Sequence, residues 1–186
     1  SCYKKNFGGV HLQDLDTDVH LQNLDTDKET GENCFLGVYD DGDAVNIHQE
    51  QGENILTSYN RIGLRMPAHL SALGKVILAN IGHEELEKYI ESANFEKRTI
   101  NSIASKKQLI DELTVIKANG YAVDNEEYEI GLKCIASPIF NIQGNVVAAI
   151  SISGPSNRIS NESIPYFKNK IITAAKTISS NLGYFT

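Results

Sequence analysis

The chain is poor in cysteine, with only Cys2, Cys34 and Cys134 among 186 residues. The set is odd in number and contains no Cys-x-x-Cys pair, so it does not read as a disulfide framework, and a reducing, cytoplasmic setting is the simpler expectation. There is no excess of positive charge. The 17 basic residues are outnumbered by 24 acidic ones, giving a net charge of -7. A bare nucleic-acid binder needs a basic face, so this chain is not expected to hold DNA by itself. Long apolar runs are missing as well, which excludes a bilayer-spanning helix. The opening "SCYKKNFGGV" lacks the apolar centre of a signal peptide. It begins with Ser, as a processed piece would. The five histidines (His11, His20, His48, His69, His83) form no His-x-x-x-His pair, so a zinc site would have to be assembled from scattered groups. "SALGK" offers one glycine, and Val76 stands where a phosphate loop requires Ser or Thr. No nucleotide or other cofactor is called for.

What is present is an ordinary globular mix, 41% hydrophobic and 22% charged, long enough for one domain with a real core. A near-repeat, "HLQDLDTD" and "HLQNLDTD", occupies residues 11–18 and 20–27. Two copies are too few for a solenoid, and the segment lacks the Gly and distant Glu of a calcium loop. Leu12, Leu15, Leu21 and Leu24 are compatible with one helix face. Two apolar runs flank Asp41-Gly42, a strong hairpin signal. "ENILTSYN" reads as a third strand. The period then changes to a helical one, with Leu70, Leu73 and Ile77 on a face and Pro67 just ahead of the helix start. "GHEELEKYIES" reads as a short amphipathic helix. "SKKQLIDELTVIKANG" is predicted to be a helix capped by Ser105 and stopped by Gly120, with Leu109, Leu113 and Ile116 inward. "GLKCIASPIFN" and "VVAAISIS" are strands joined by a turn, and a long helix follows from about Asn161 to Leu182. Strands linked by tight turns pair antiparallel. The expected fold is therefore a one-domain α+β sandwich, with helices on the faces of a mostly antiparallel sheet.

The chemistry-bearing candidates each have a plain structural reading beside the functional one. Cys134 shares strand spacing with Leu132 and suits a small core position; a nucleophile would want a neighbouring base. Asp124 stands at a strand end, where a side chain can enter a cavity, whereas Glu126, Glu127 and Glu129 read as a solvated turn. A helix starting near residues 68–70 would present free N–H groups to a small carboxylate, with Lys75 as a solvated helix residue. Ser151 and Ser153 share one face of an apolar strand. They either bond the backbone or line the polar end of a pocket.

Taken together, "RIGLRMPAHLSALGKVILA" and "GYAVDNEEYEIGLKCIASPIFNIQGNVVAAISISGPSNRIS", with "TGENCFLGV" ahead of them, resemble the effector-binding domain of IclR-type bacterial transcriptional regulators. The resemblance runs from about Leu24 to Gly183 and looks closest to the ketodeoxygluconate-responsive branch. It implies a GAF/profilin-like fold over residues 24–186, preceded at 1–23 by a linker-helix remnant, with the winged helix-turn-helix DNA-binding domain absent from this chain. It implies a small organic acid as effector, a 2-oxo acid or a sugar acid, and assembly into a homodimer or homotetramer. Operator DNA would be met only through the missing domain, and no membrane is involved.

Carried over residue by residue, the resemblance gives Ala72 and Leu73 as N–H donors to the acid's carboxylate. Asp124 becomes the partner of a ligand hydroxyl or hydrate. Cys134, Ser151 and Ser153 form the polar end, and Met66 and Leu132 the apolar wall. The glyoxylate- and pyruvate-responsive pattern has Gly-Ala where this chain has Ala72-Leu73, so the bulkier Leu73 is expected to reshape the pocket. Some members hold zinc, for which only Asp124 and Cys134 are available. The leading expectation is a non-catalytic ligand-sensing module. The alternatives are a GAF-fold thiol reductase pairing Cys134 with Cys34, and a purely structural oligomerisation module.

Overall fold

A computed structural model describes residues 6, 7, 10, 11, 26–54 and 61–185 of the chain. The near-repeat lies almost wholly outside these residues, as does most of the strand expected at 53–60. A minimal antiparallel pair, β1 (Asn6–Phe7) and β2 (Val10–His11), precedes helix α1 (Thr26–Thr30). Strands β3 (Asn33–Asp40) and β4 (Asp43–Glu50) follow. They form the hairpin expected around Asp41-Gly42. Both turn residues have positive φ, 51° and 87°, the backbone twist that a two-residue hairpin needs.

The edge strand β5 (Arg65–Pro67) pairs with the start of β4. It is too short to show an alternation in sequence, and it takes up Pro67, the residue expected just ahead of a helix start. A 3-10 turn over Ala68–Leu70 intervenes before the helix proper, α2 (Ala72–Leu78). Ser71 separates the two with extended backbone, and its hydroxyl caps α2 by accepting from the Gly74 N–H at 3.0 Å. Helix α3 (His83–Ser92) is amphipathic as predicted, with Tyr89 buried. Helix α4 (Lys106–Asn119) carries its expected Ser105 cap, ends at Gly120 with φ 74°, and buries Leu109, Leu113 and Ile116.

Strands β6 (Ala122–Asn125), β7 (Leu132–Phe140) and β8 (Val146–Pro155) complete one six-stranded sheet, ordered β5-β4-β3-β8-β7-β6 and antiparallel at every step. Helix α5 (Ile164–Asn181) closes the described chain. The α+β, GAF/profilin-like expectation is met. On one face, α5 lays Phe167, Ile171, Ala174, Ala175 and Ile178 over Leu36, Ile135, Ile150 and Ile152. Burial of each larger side chain is worth about 1.5–3 kcal/mol. On the other face, α2, α3 and α4 cover Phe35, Ala122, Leu132, Cys134, Ala136 and Ala149. Because strand side chains alternate, each strand divides its residues between two separate cores. The second core holds the polar groups.

Candidate functional site

The register of the sheet assembles the site. Asn33 of β3 faces Ser153 of β8, Ser153 faces Cys134 of β7, and Cys134 faces Asp124 of β6. One step along, Phe35 faces Ser151, Ser151 faces Ala136, and Ala136 faces Ala122. Both rows lie on the α2 side of the sheet. A polar stripe thus crosses an otherwise apolar layer, directly under the start of α2.

Between that stripe and α2 lies a small cavity of about 10 Å³, room for roughly one water. Ala72, Leu73 and Met66 line it, as do Asp124, Leu132, Cys134 and Ser151. These are seven of the eight residues expected from the sequence. Ser153 does not line it; its hydroxyl is engaged by the Cys134 thiol at 3.2 Å. Phe35, Asn46 and Ser71 complete the wall and were not foreseen. A larger concavity of about 600 Å³ opens between the ends of α4 and α5, but none of the expected residues lines it, and the smaller cavity is the one with converging chemistry.

Asp124 is 2% exposed, and its Oδ1 accepts the Glu127 N–H at 2.8 Å. Burial, reinforced by the nearby Glu127 charge, pushes its carboxyl up to about 7. Glu127 is itself buried rather than solvated, and burial holds it above the ordinary range despite the adjacent Lys75. Lys75 reverses its expectation too. Its side chain is 0% exposed, because α2 lies wedged between the sheet and the other two helices. The ammonium donates to the Val123 carbonyl at 2.6 Å, to Glu127 at 2.7 Å and to Glu112 at 3.3 Å. Its aliphatic stem joins the core while the charge is matched.

Of the acidic turn, only Glu129 is fully on the surface. Half-buried Glu126 takes φ 60° and closes the loop by accepting the Gly131 N–H at 2.8 Å. The Thr99 and Ser102 hydroxyls clamp the same turn, donating to the Glu126 and Glu127 carbonyls at 2.7 Å. The Glu-Glu pair therefore has two structural tasks, one residue each.

Two glycines set how closely α2 approaches. A β-carbon on Gly74 would run into the Ala68 backbone, and one on Gly37 would come within 2.7 Å of Leu73 Cδ1. Leu73 lies over the bare backbone of β3, and this is how the bulkier residue is accommodated beside the cavity.

Cys34 and Cys134 are both buried, and they belong to opposite faces of the sheet. Cys34 pairs across to Ile152 and Cys134 to Ser153. The sheet itself separates them, so the Cys34–Cys134 couple of the alternative thiol-reductase reading cannot form. Burial also pushes the Cys34 thiol well above its usual range, away from the reactive thiolate. Asp124 and Cys134 are too few donors for a four-coordinate zinc. Among the described residues no group of three His, Cys, Asp or Glu side chains could hold a metal. No helix among them is long and apolar enough to cross a membrane.

The family model described as "Bacterial transcriptional regulator IclR C-terminal" matches residues 11–180. KdgR, an HTH-type transcriptional regulator of Dickeya chrysanthemi, is 39% identical over 83% of this chain and 51% of its own length. XynR of Escherichia coli, likewise an HTH-type transcriptional regulator, is 34% identical over 84% of this chain and 62% of its own. The chain thus spans about half to three fifths of these relatives. Among solved structures, the C-terminal domain of E. coli KdgR superposes with a TM-score of 0.78 at 35% identity, covering 90% of this chain and 96% of that one. Thermotoga maritima IclR gives 0.84 at 35% identity, covering 94% and 70%.

Proposed function

The chain belongs to the IclR family of bacterial transcriptional regulators, and from that premise we propose that it senses a small organic acid, a 2-oxo acid or a sugar acid such as ketodeoxygluconate, for an intact DNA-binding regulator. The observation that carries this reading is the cavity at the start of α2, where the Ala72 and Leu73 backbone meets Asp124, Cys134 and Ser151. The carboxylate of the acid would take the Ala72 and Leu73 N–H groups, which precede the first intrahelical bonds of α2. Asp124 would receive a hydroxyl or hydrate. Met66 and Leu132 would pack the carbon chain.

The cavity of about 10 Å³ is far below the ~300–1,000 Å³ of a typical small-molecule site. Binding therefore requires α2 to lift from the sheet. That requirement supplies the regulatory step. A ligand that binds only the lifted state shifts the balance between two arrangements by its differential affinity. In the intact regulator, helix displacement would pass to the subunit contacts of a dimer or tetramer, and so to DNA-binding domains outside this chain.

Isothermal calorimetry with a panel of small 2-oxo acids and sugar acids tests the reading. At least one is expected to bind, and Asp124→Ala is expected to weaken it tenfold or more. No binding by any acid, or equal affinity in the Asp124 variant, would remove the proposal. The family reading leaves no place for catalysis, since the relatives are named as transcriptional regulators.

A further inference from the structure

Asn46 is 1% exposed and lines the cavity, yet neither its Oδ1 nor its Nδ2 has a hydrogen-bond partner among the described residues. Buried carboxamides are nearly always bonded, and an unsatisfied one calls for an explanation. Both atoms are unpartnered, so turning the amide end for end changes nothing.

The backbone shows how the residue comes to face the cavity. Leu36 pairs with His48, but its neighbour Gly37 pairs with Asn46, so Ile47 is an extra residue in β4. Counted from the Asp41-Gly42 turn, the ladder is regular as far as Asn46, which alternation places on the α2 face with Ala44, while Val45 and Ile47 pack on the other face. The bulge falls at Ile47, immediately beyond Asn46, and shifts the pairing of His48, Gln49 and Glu50. Such irregularities are over-represented next to functional sites. The backbone of Asn46 is fully engaged: its N–H donates to Leu64 at 3.1 Å and its carbonyl accepts from Gly63 at 2.7 Å. These bonds fix the strand while leaving the carboxamide uncommitted.

We propose that Asn46 is a specificity-determining residue that reads a hydroxyl group of the bound acid, so that the pocket selects polyhydroxylated acids over plain 2-oxo acids. A carboxamide presents donors and an acceptor side by side. Only a ligand with both on neighbouring atoms satisfies it, and a hydroxyl or a vicinal diol does so. A 2-oxo acid in its keto form carries acceptors alone, and in its hydrated form its only hydroxyls are those given to Asp124, so in either form it leaves Oδ1 unmatched. A site built to bond a hydroxyl strongly rejects the analogue that lacks it. This assignment rests on the acid-sensing reading above and narrows its ligand class.

The test uses the whole chain and six-carbon probes matched in length: 2-ketogluconate, gluconate and galacturonate against 2-oxohexanoate. By calorimetry at least one hydroxylated acid is expected to bind about 100-fold or more tighter than 2-oxohexanoate. In Asn46→Leu that ratio is expected to fall to within about tenfold, through loss of affinity for the hydroxylated acids. The melting temperature of the unliganded variant is expected to hold or rise, because the unbonded amide has been removed from an apolar layer. A purely structural asparagine would instead lower it and leave the ratio unchanged. Equal affinity for both classes, or a ratio untouched by the substitution, overturns the role of Asn46 while the acid pocket stands. Failure of the wild-type chain to bind any probe overturns both.

Discussion

Lys75 and Glu127 meet at 2.7 Å across 52 residues of sequence, inside a layer that is otherwise apolar. The pair ties α2 to the turn that carries Asp124, so the site and the helix above it share one electrostatic anchor. Removing one partner from such a pair strands a buried charge. Lys75→Met is therefore expected to destabilise the fold by about 3–5 kcal/mol, read from urea unfolding. Lys75→Met combined with Glu127→Leu is expected to recover much of that loss. Glu112, whose side chain is 42% exposed, contributes little, and Glu112→Gln is expected to cost under about 1 kcal/mol. Equal losses for Glu112→Gln and Glu127→Gln would contradict this ranking.

Asp124 gives the stability a definite pH slope. Its carboxyl titrates at about 7 in the fold against an ordinary value of 3.8. Between those limits the folded state holds the extra proton, so stability falls as pH rises through that window and levels off above about 7. Glu127, also raised by burial, acts in the same sense. His69 acts in the opposite sense. Burial, aided by the Lys75 charge, lowers it to about 4 from 6.5, so its contribution is lost as pH falls between those values. Asp124→Asn is expected to abolish most of the decline toward neutrality and leave the His69 rise exposed. Urea midpoints measured from pH 4 to 8 decide the matter, and superimposable profiles would refute it.

Gly37 and Leu73 should be coupled. Gly37→Ala alone places its β-carbon 2.7 Å from Leu73 Cδ1 and is expected to cost about 1–3 kcal/mol by overpacking. In a Leu73→Ala background the same change is expected to be nearly neutral, giving a coupling energy of at least about 1 kcal/mol in a double-mutant cycle. Simple additivity would show that the helix does not rest on that bare stretch of β3.

Gly74→Ala is expected to be worse, because the obstacle is the Ala68 backbone and not a movable side chain. The 3-10 turn and α2 would have to part. A loss above about 3 kcal/mol in thermal or urea unfolding is expected, with acid binding reduced beyond what lost stability explains.

Much of this was readable in the sequence, for physical reasons that can be named. Asp41-Gly42, Ser105 and Gly120 are local signals, and each marks a real turn, cap or stop. The α5 face follows from one period and one buried side. Lys75 and Glu127 were misread because a single charged residue has no periodicity; their burial depends on layers brought together from distant parts of the chain. Asn46 shares the α2 face with Ala44 by plain alternation from the Asp41-Gly42 turn, but a lone asparagine in a strand carries no signal until the fold leaves its carboxamide without partners among the described residues. Ser153 shows the reverse limit: the face was right, but the Cys134 thiol holds its hydroxyl outside the cavity lining.

The separation of Cys34 and Cys134 by the sheet gives the molecule two built-in timers. Each thiol can be alkylated only when its own layer opens. In a Cys2→Ser background, the Cys34 rate records openings of the layer formed by α5 and α1, and the Cys134 rate records departures of α2. An acid that props α2 away from the sheet would change one clock and leave the other running at its old pace, so two numbers from one labelling reaction tell a local lift from a general loosening.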